Sequence, residues 1–245
     1  MKYIITLVCF LTTAFAHADS RTSADSAYTA EKYAEAVELY ETILKDGDDA
    51  AAFYNLGNSY FRLRQYPLAI LNYERAARYI PTDKDVRHNL AIANSRLTER
   101  ISPMQRMFFV TMYHDAKNAL SISGWTHTAL AAFTIALLSL LIYLLSSRIG
   151  IRKLAFSISC LSLFVVIMAN IFAYSLHKDF VNRNYAIVSS SATLQSSPTT
   201  SEEGLGTVPP GIKVRITDKG ISGWYEVTLP DGKTGWIERP NAIII

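Results

Sequence analysis

Apolar side chains recur at helical spacing along residues 50–80. Phe53, Leu56, Tyr60 and Leu63 mark one helix over Ala50–Arg64, and Ala69, Ile70, Tyr73, Ala76 and Ala77 mark a second. Tyr66-Pro67 opens the second helix, where a missing amide costs nothing, and Pro81 ends it. Gly57 sits inside the first helix, a costly place unless another backbone comes close, and the small Ala69 and Ala76 permit that approach. A hairpin of this kind cannot bury its apolar face alone and needs neighbours like itself. They are present: Ala36/Ala69 and Tyr40/Tyr73 are 33 residues apart, and Asn55/Asn89 and Leu56/Leu90 are 34 apart. Residues 25–48 form a less regular first copy and 84–98 a lone closing helix.

A different pattern follows. Residues 126–145 and 154–176 contain no Asp, Glu, Lys or Arg, and each run meets the ~20 residues a bilayer core requires. Neither has the polar face of a soluble helix. The loop between them carries Arg148, Arg152 and Lys153, which predicts that it stays in the cytoplasm. Trp125 and Tyr174 fall at the opposite boundary, as aromatic anchors, although His177, Lys178 and Arg183 on that side weaken the charge asymmetry. Within the second span, Asn170 has two readings, a hydrogen bond to a partner helix or one to the first span, and Cys160 reads as a packing residue. Before the first span, Met104, Phe108, Met112, Ala116 and Leu120 recur at near-helical spacing, with Arg106, Asp115 and Lys117 elsewhere. That segment fits an interfacial helix or packing beneath the solenoid.

The first residues, MKYIITLVCFLTTAFAHADS, read as a secretory signal: Lys2, an apolar run Ile4–Phe15, and a small-x-small site that favours cleavage after Ala18, with Ala16 nearly as good. Of Cys9 and Cys160 only the latter then remains, so no intramolecular disulfide is expected. Signal and loop charge together place both ends of the mature chain in the periplasm.

The last third is β-rich. KVRIT, WYEVTL and TGWIE are short strand-like runs, Pro230-Asp231-Gly232 is a hairpin turn signal, and SSSATLQSSPTTSEEG is loop-like. About five strands in this length predict a small barrel. Trp236 is expected in its core, and Trp224 either in the core or on an aromatic binding surface.

Composition excludes some functions. Lys plus Arg number 24 and Asp plus Glu 21, a net charge of +3, too balanced for a nucleic-acid binder. The five His have no metal-ligand spacing, GLGTVPPG runs into prolines instead of a helix, and no nucleophile elbow occurs. No metal, no cofactor and no enzymatic activity are expected.

Leu56-Gly57, Tyr60, Ala69, Tyr73, Ala76 and Pro81 resemble the tetratricopeptide repeat, whose period is ~34 residues. The resemblance implies a short solenoid with a concave face for a peptide or protein. Asn55, Asn58 and Arg62, with Asn89 and Arg96 of the closing helix, share its stripe and are the candidate partner-binding residues, suited to an acidic or C-terminal carboxylate. The competing reading, which we favour for Asn55 and Asn58, is that they tie helices together. Leu194, Ser197-Pro198, Gly211, Val214, Gly223-Trp224, Val227, Asp231-Gly232 and Gly235-Trp236-Ile237 resemble a bacterial Src-homology-3-like domain, which implies wall or protein binding. The predicted fold is therefore a multi-domain membrane protein: an all-α tetratricopeptide solenoid, two transmembrane helices and a small all-β Src-homology-3-like barrel. Its segments are signal 1–18, solenoid 19–100, interfacial segment 101–124, span 125–146, cytoplasmic loop 147–153, span 154–176, and linker with barrel 177–245. This order of modules, with NLGNSYFRLRQYPLAILNYERAARYIP, NLAIANSRL and GWYEVTLPDGKTGW, resembles the E-type, BatE-like proteins of the Bat (bacterial aerotolerance) family. That resemblance implies a non-enzymatic inner-membrane scaffold working with von Willebrand factor A-type Bat proteins and a MoxR-type ATPase. The alternative is a wall-associated anchor or sensor whose barrel binds peptidoglycan.

Overall fold

The structure is a computed structural model that describes residues 20–105, 107–199 and 204–245. The predicted signal, Cys9 and Arg106 lie outside the described residues. The chain divides into two compact units, Met1–Gln105 with Asn184–Ile245, and Arg106–Arg183.

The first unit begins with five helices: α1 (20–29), α2 (Tyr33–Lys45), α3 (Ala50–Arg62), α4 (Tyr66–Tyr79) and α5 (Lys84–Ser95). Aspartates start two of them. The Asp49 carboxylate accepts from the amides of Ala51 and Ala52, and the Asp83 carboxylate from Asp85 and Val86, which satisfies otherwise orphaned first-turn donors. Pro67 lies in the first turn of α4, and the helix closes at Ile80, before Pro81. Ala69 and Ala76 are fully buried, as are Ile70 and Tyr73. A Cβ added at Gly57 would lie 2.7 Å from the Tyr73 ring and 3.3 Å from the Ala69 carbonyl oxygen. The close approach that the glycine signals is therefore made mainly by an aromatic ring.

Seven strands make the small sheet region: β1 (Tyr185–Val188), β2 (Ala192–Leu194), β3 (Gly206–Val208), β4 (Lys213–Asp218), β5 (Trp224–Thr228), β6 (Thr234–Glu238) and β7 (Ala242–Ile244). All pairings are antiparallel, in the order β6-β5-β4-β1-β7, with β2 beside β3. Pro230-Asp231-Gly232 turns between β5 and β6: Gly232 has φ +89° and the Leu229 amide donates to the Lys233 carbonyl. The Ser/Thr-rich stretch is not all loop. Ala192 and Leu194 point inward as part of β2, and a two-residue alternation this short leaves little trace in sequence. Thr200–Glu203 lie outside the described residues.

The barrel and solenoid meet within the first unit. Ile187, Ile243 and Ile245 pack into the apolar cluster of the solenoid, and Leu97 touches both cores. The Lys213 ammonium lies 2.6 Å from the Glu74 carboxylate, and Arg75 donates to the Ile244 carbonyl at 3.1 Å.

The second unit contains α6 (Phe108–Lys117), α7 (Ile122–Leu145) and α8 (Ile149–Asn182). Only 146–148 separate α7 from α8, so the expected 147–153 loop is shorter, and Arg152 and Lys153 belong to the first turns of α8. Residues 149–153 hold no helix-breaking proline, and the two cations sit on a helical surface exposed to solvent. The long helix ends where Arg183 turns left-handed, at φ 44°. Small residues form the α7–α8 seam: Ala132, Ala136 and Ser139 against Ala155, Ser162 and Ala169, with the Ser159 hydroxyl donating to the Ala136 carbonyl at 3.2 Å. Cys160, read from sequence as packing, is exposed outside this seam. Asn170 is exposed too and donates to the Val166 carbonyl of its own helix at 2.8 Å, so it does not tie the two spans together. Trp125 turns inward, its indole 4.9 Å from Phe172 and its N–H bonded to the Lys117 carbonyl, whereas Tyr174 stays outward. Within this unit α6 is fastened by the Lys117–Asp179 ion pair, at 2.6 Å, and exposes Phe108, Phe109 and Met112.

Candidate functional site

The five concave-face candidates fall in four places. Asn58 and Asn89 meet: Asn58 Oδ1 accepts from the Tyr73 hydroxyl at 2.7 Å and from Asn89 Nδ2 at 3.0 Å, and Asn89 Nδ2 also reaches the Tyr54 hydroxyl at 2.9 Å. Asn55 belongs to a second cluster, in which it donates to Asp25 at 3.2 Å while the Tyr40 hydroxyl donates to the same carboxylate oxygen. Arg62 lies 4.7 Å from the centre of the Tyr33 ring, 4.0 Å from the Glu31 carboxylate, and beside Tyr28. Arg96 caps the C-terminus of α5 and lines a cleft of about 320 Å³ with Tyr66, Pro67, Pro209 and Pro210. The two arginines share no partner, so they do not form one fork for a carboxylate.

These contacts give the asparagines the work of tying helices: α3 to α4 and α5 through Asn58, and α3 to α1 through Asn55. The residues that complete the network, Asp25, Tyr40, Tyr54 and Tyr73, were not singled out as polar partners, because the helical periodicity marks tyrosines only as bulk. Burial raises the phenol pKa values of Tyr40, Tyr60 and Tyr73 above the ordinary 10.0, reinforced by the Asp25 carboxylate at Tyr40, the Glu41 carboxylate at Tyr60 and the neighbouring Tyr54 phenol at Tyr73. The hydroxyls accordingly stay protonated and donate.

The barrel presents a different surface. In β6, Gly235 and Ile237 point inward and are buried, so Trp236 faces outward and is half-exposed. That corrects the expectation that Trp236 fills the core. The inward place is too tight for an indole: a Cβ at Gly235 would already lie 2.7 Å from the Gln195 carbonyl oxygen and from Leu194. Trp224 is half-exposed on the same face, because the β5–β6 register sets Trp224 opposite Glu238 and Glu226 opposite Trp236. The Glu226 carboxylate accepts from the Thr217 hydroxyl at 2.8 Å. Among the described residues no group of His, Cys, Asp and Glu could hold a metal ion.

Comparison with known families agrees with this division of the first unit. The tetratricopeptide-repeat family matches residues 21–84, and the bacterial SH3 domain family matches residues 190–241. No curated protein matches the chain. The N-terminal region is thus similar to tetratricopeptide modules, which bind proteins, and the C-terminal region to bacterial SH3 domains.

Proposed function

We propose that the protein is a non-enzymatic scaffold of a bacterial inner membrane. It gathers protein partners on the periplasmic side, in an assembly similar to that of the Bat family. The observation that carries this reading is the exposure of α7 and α8. Each is long and apolar enough to cross a membrane, yet only 17% and 11% of their most apolar stretches are buried. A core helix of a soluble domain would be mostly buried; in these two, Leu138, Leu144, Leu154 and Phe164 face outward. At 34 residues α8 is about 51 Å long, against a hydrocarbon core of about 30 Å, so its ends extend into water. Two modules of binding type lie before and after this hairpin in the chain, which fits a scaffold better than an enzyme. The Bat resemblance supplies the partner classes: von Willebrand factor A-type membrane proteins and a MoxR-type ATPase system.

The second reading, a wall-associated anchor, is favoured by the bacterial SH3 match over residues 190–241. Affinity capture of the tagged full chain from solubilised membranes, run beside sedimentation with purified wall sacculi, separates the two. Stoichiometric recovery of membrane proteins supports the scaffold. Co-sedimentation with sacculi and no protein partner contradicts it.

A further inference from the structure

The solvent face of β5–β6 combines two indoles and two carboxylates in a checkerboard. Trp224 stands opposite Glu238, and Trp236 opposite Glu226. Directly opposed side chains on an antiparallel pair start about 4.5–5.5 Å apart at Cβ, so each indole has a carboxylate within reach. Among the described residues neither glutamate has an ion-pair partner. The nearest cation in sequence, Arg239, is committed elsewhere: its guanidinium lies 4.8 Å from the centre of the Tyr225 ring and donates to the carbonyls of Lys219, Ile221 and Trp224. Beyond them the Thr228–Thr234 pair is small, and on β4 Arg215 stands opposite Thr228, two residues along from Glu226, with no ion pair to either glutamate among the described residues.

The edge of β6 is closed where it matters. The Trp236 amide and carbonyl both bond to Gln195, at 2.8 Å each, so a ligand strand cannot add there. What remains to be read is the side-chain face. A negative carboxylate beside the negative face of an indole is a site for a cation. Two such sites are separated by two residues along the strand, about 6.8 Å.

We propose that this face docks an extended basic segment of a partner protein, with two arginine or lysine side chains at alternate positions. Each cation sits between one indole and one carboxylate. Alternate residues of an extended chain point the same way with the same repeat, so the two spacings match. A peptidoglycan stem peptide carries at most one free side-chain amine among its carboxylates, so it does not present two cations at this spacing. A protein segment therefore fits it better than the wall does, and this assignment holds whether or not α7 and α8 lie in a membrane.

The test uses the full chain in detergent micelles and dye-labelled decapeptides in a Gly/Ser background, followed by fluorescence anisotropy. One peptide carries Arg-Ser-Arg, the control Glu-Ser-Glu. The arginine peptide is expected to bind at least tenfold tighter than the control and to weaken at least tenfold in E226Q/E238Q. Raising the salt concentration should weaken it as well. The double substitution keeps the side-chain size and leaves Glu226→Gln able to accept from Thr217, and E238Q alone, at an exposed position, should give part of the loss. Equal binding of the two peptides, or unchanged binding in both variants, overturns the proposal. So does sedimentation of the wild type with sacculi that E226Q/E238Q abolishes, since that assigns the face to the wall.

Discussion

In the α3–α4 hairpin, Gly57, Ala69 and Ala76 are buried, and so are Tyr60, Ile70 and Tyr73. In the α7–α8 hairpin, small residues again line the seam, and most of the large ones face away from it, apart from Phe172 and the Trp125 packed on it at one end. Both are pairs of helices packed through small residues, and they differ in where bulk goes. In water, bulk moves inward because apolar area removed from solvent is the main favourable term. Where the surroundings are themselves apolar, that term vanishes between helices, and close packing of small residues is what remains. The contrast separates a hairpin that packs its bulk inward, as water requires, from one that exposes its bulk, as the proposed lipid surroundings would allow.

Four changes break or sharpen this contrast. The largest effect is expected from Leu138→Arg, which places a charge on the outward face of α7. If that face meets hydrocarbon, the charge costs about 2.5–3.5 kcal/mol at mid-span, and alkaline extraction should release much of the variant from membranes. If it meets water, extraction stays unchanged.

Gly57→Leu forces a side chain into the Tyr73 ring. Overpacking of this kind costs about 1–3 kcal/mol, and a solenoid of two repeats and a closing helix has few neighbours to share it. Faster proteolysis of residues 50–80 in the full chain is the expected readout, and an unaltered cleavage rate would show that the ring simply moves aside.

An alkaline transition should be confined to the solenoid. Burial raises the folded-state phenol pKa values of Tyr40, Tyr60 and Tyr73 above the unfolded 10.0. Their stabilisation is therefore complete below about pH 10 and is lost as pH rises from there through the higher folded values. Phenolate absorbance should show a late, cooperative phase coinciding with loss of solenoid protection. Independent titration of all tyrosines near the ordinary value would contradict the buried network.

The smallest effect is expected at the joint of solenoid and barrel. Lys213→Ala removes a partly exposed ion pair with Glu74, worth about 0.2–1 kcal/mol. Chemical denaturation should register only this small shift, because the apolar contacts of Ile187, Ile243 and Ile245 remain.

Sequence revealed the solenoid almost completely, since Gly57, Pro67, Ala69, Ala76 and Pro81 are each dictated by local geometry. The same holds for the β5–β6 turn at Asp231-Gly232. Less legible were β1, β2 and β7, which have three or four residues each and owe their extended form to partners distant in sequence, as Ala186 does to Val214 and Ile244. The full length of α8 was hidden because charge marks where a helix leaves an apolar environment, not where the helix stops. Candidate binding residues were the hardest to judge. A helical stripe puts Asn55, Asn58, Arg62, Asn89 and Arg96 in line, but only coordinates reveal that the asparagines are used internally and that Arg96 turns to the cleft beside Pro209. The Trp/Glu checkerboard needed the β5–β6 register, which pairs residues 224 and 238 across a turn.

The scaffold reading rests most heavily on an anchored chain whose two binding modules share one side of the membrane. Single cysteines placed at exposed positions of the solenoid (Ser95), the α7–α8 connection (Ser147) and the barrel (Lys233), in a C160S background, can be probed in intact spheroplasts with a membrane-impermeant maleimide. Labelling at Ser95→Cys and Lys233→Cys, with Ser147→Cys reacting only after lysis, is the expected result. Protection of either module before lysis, or labelling of the connection in intact spheroplasts, would contradict it.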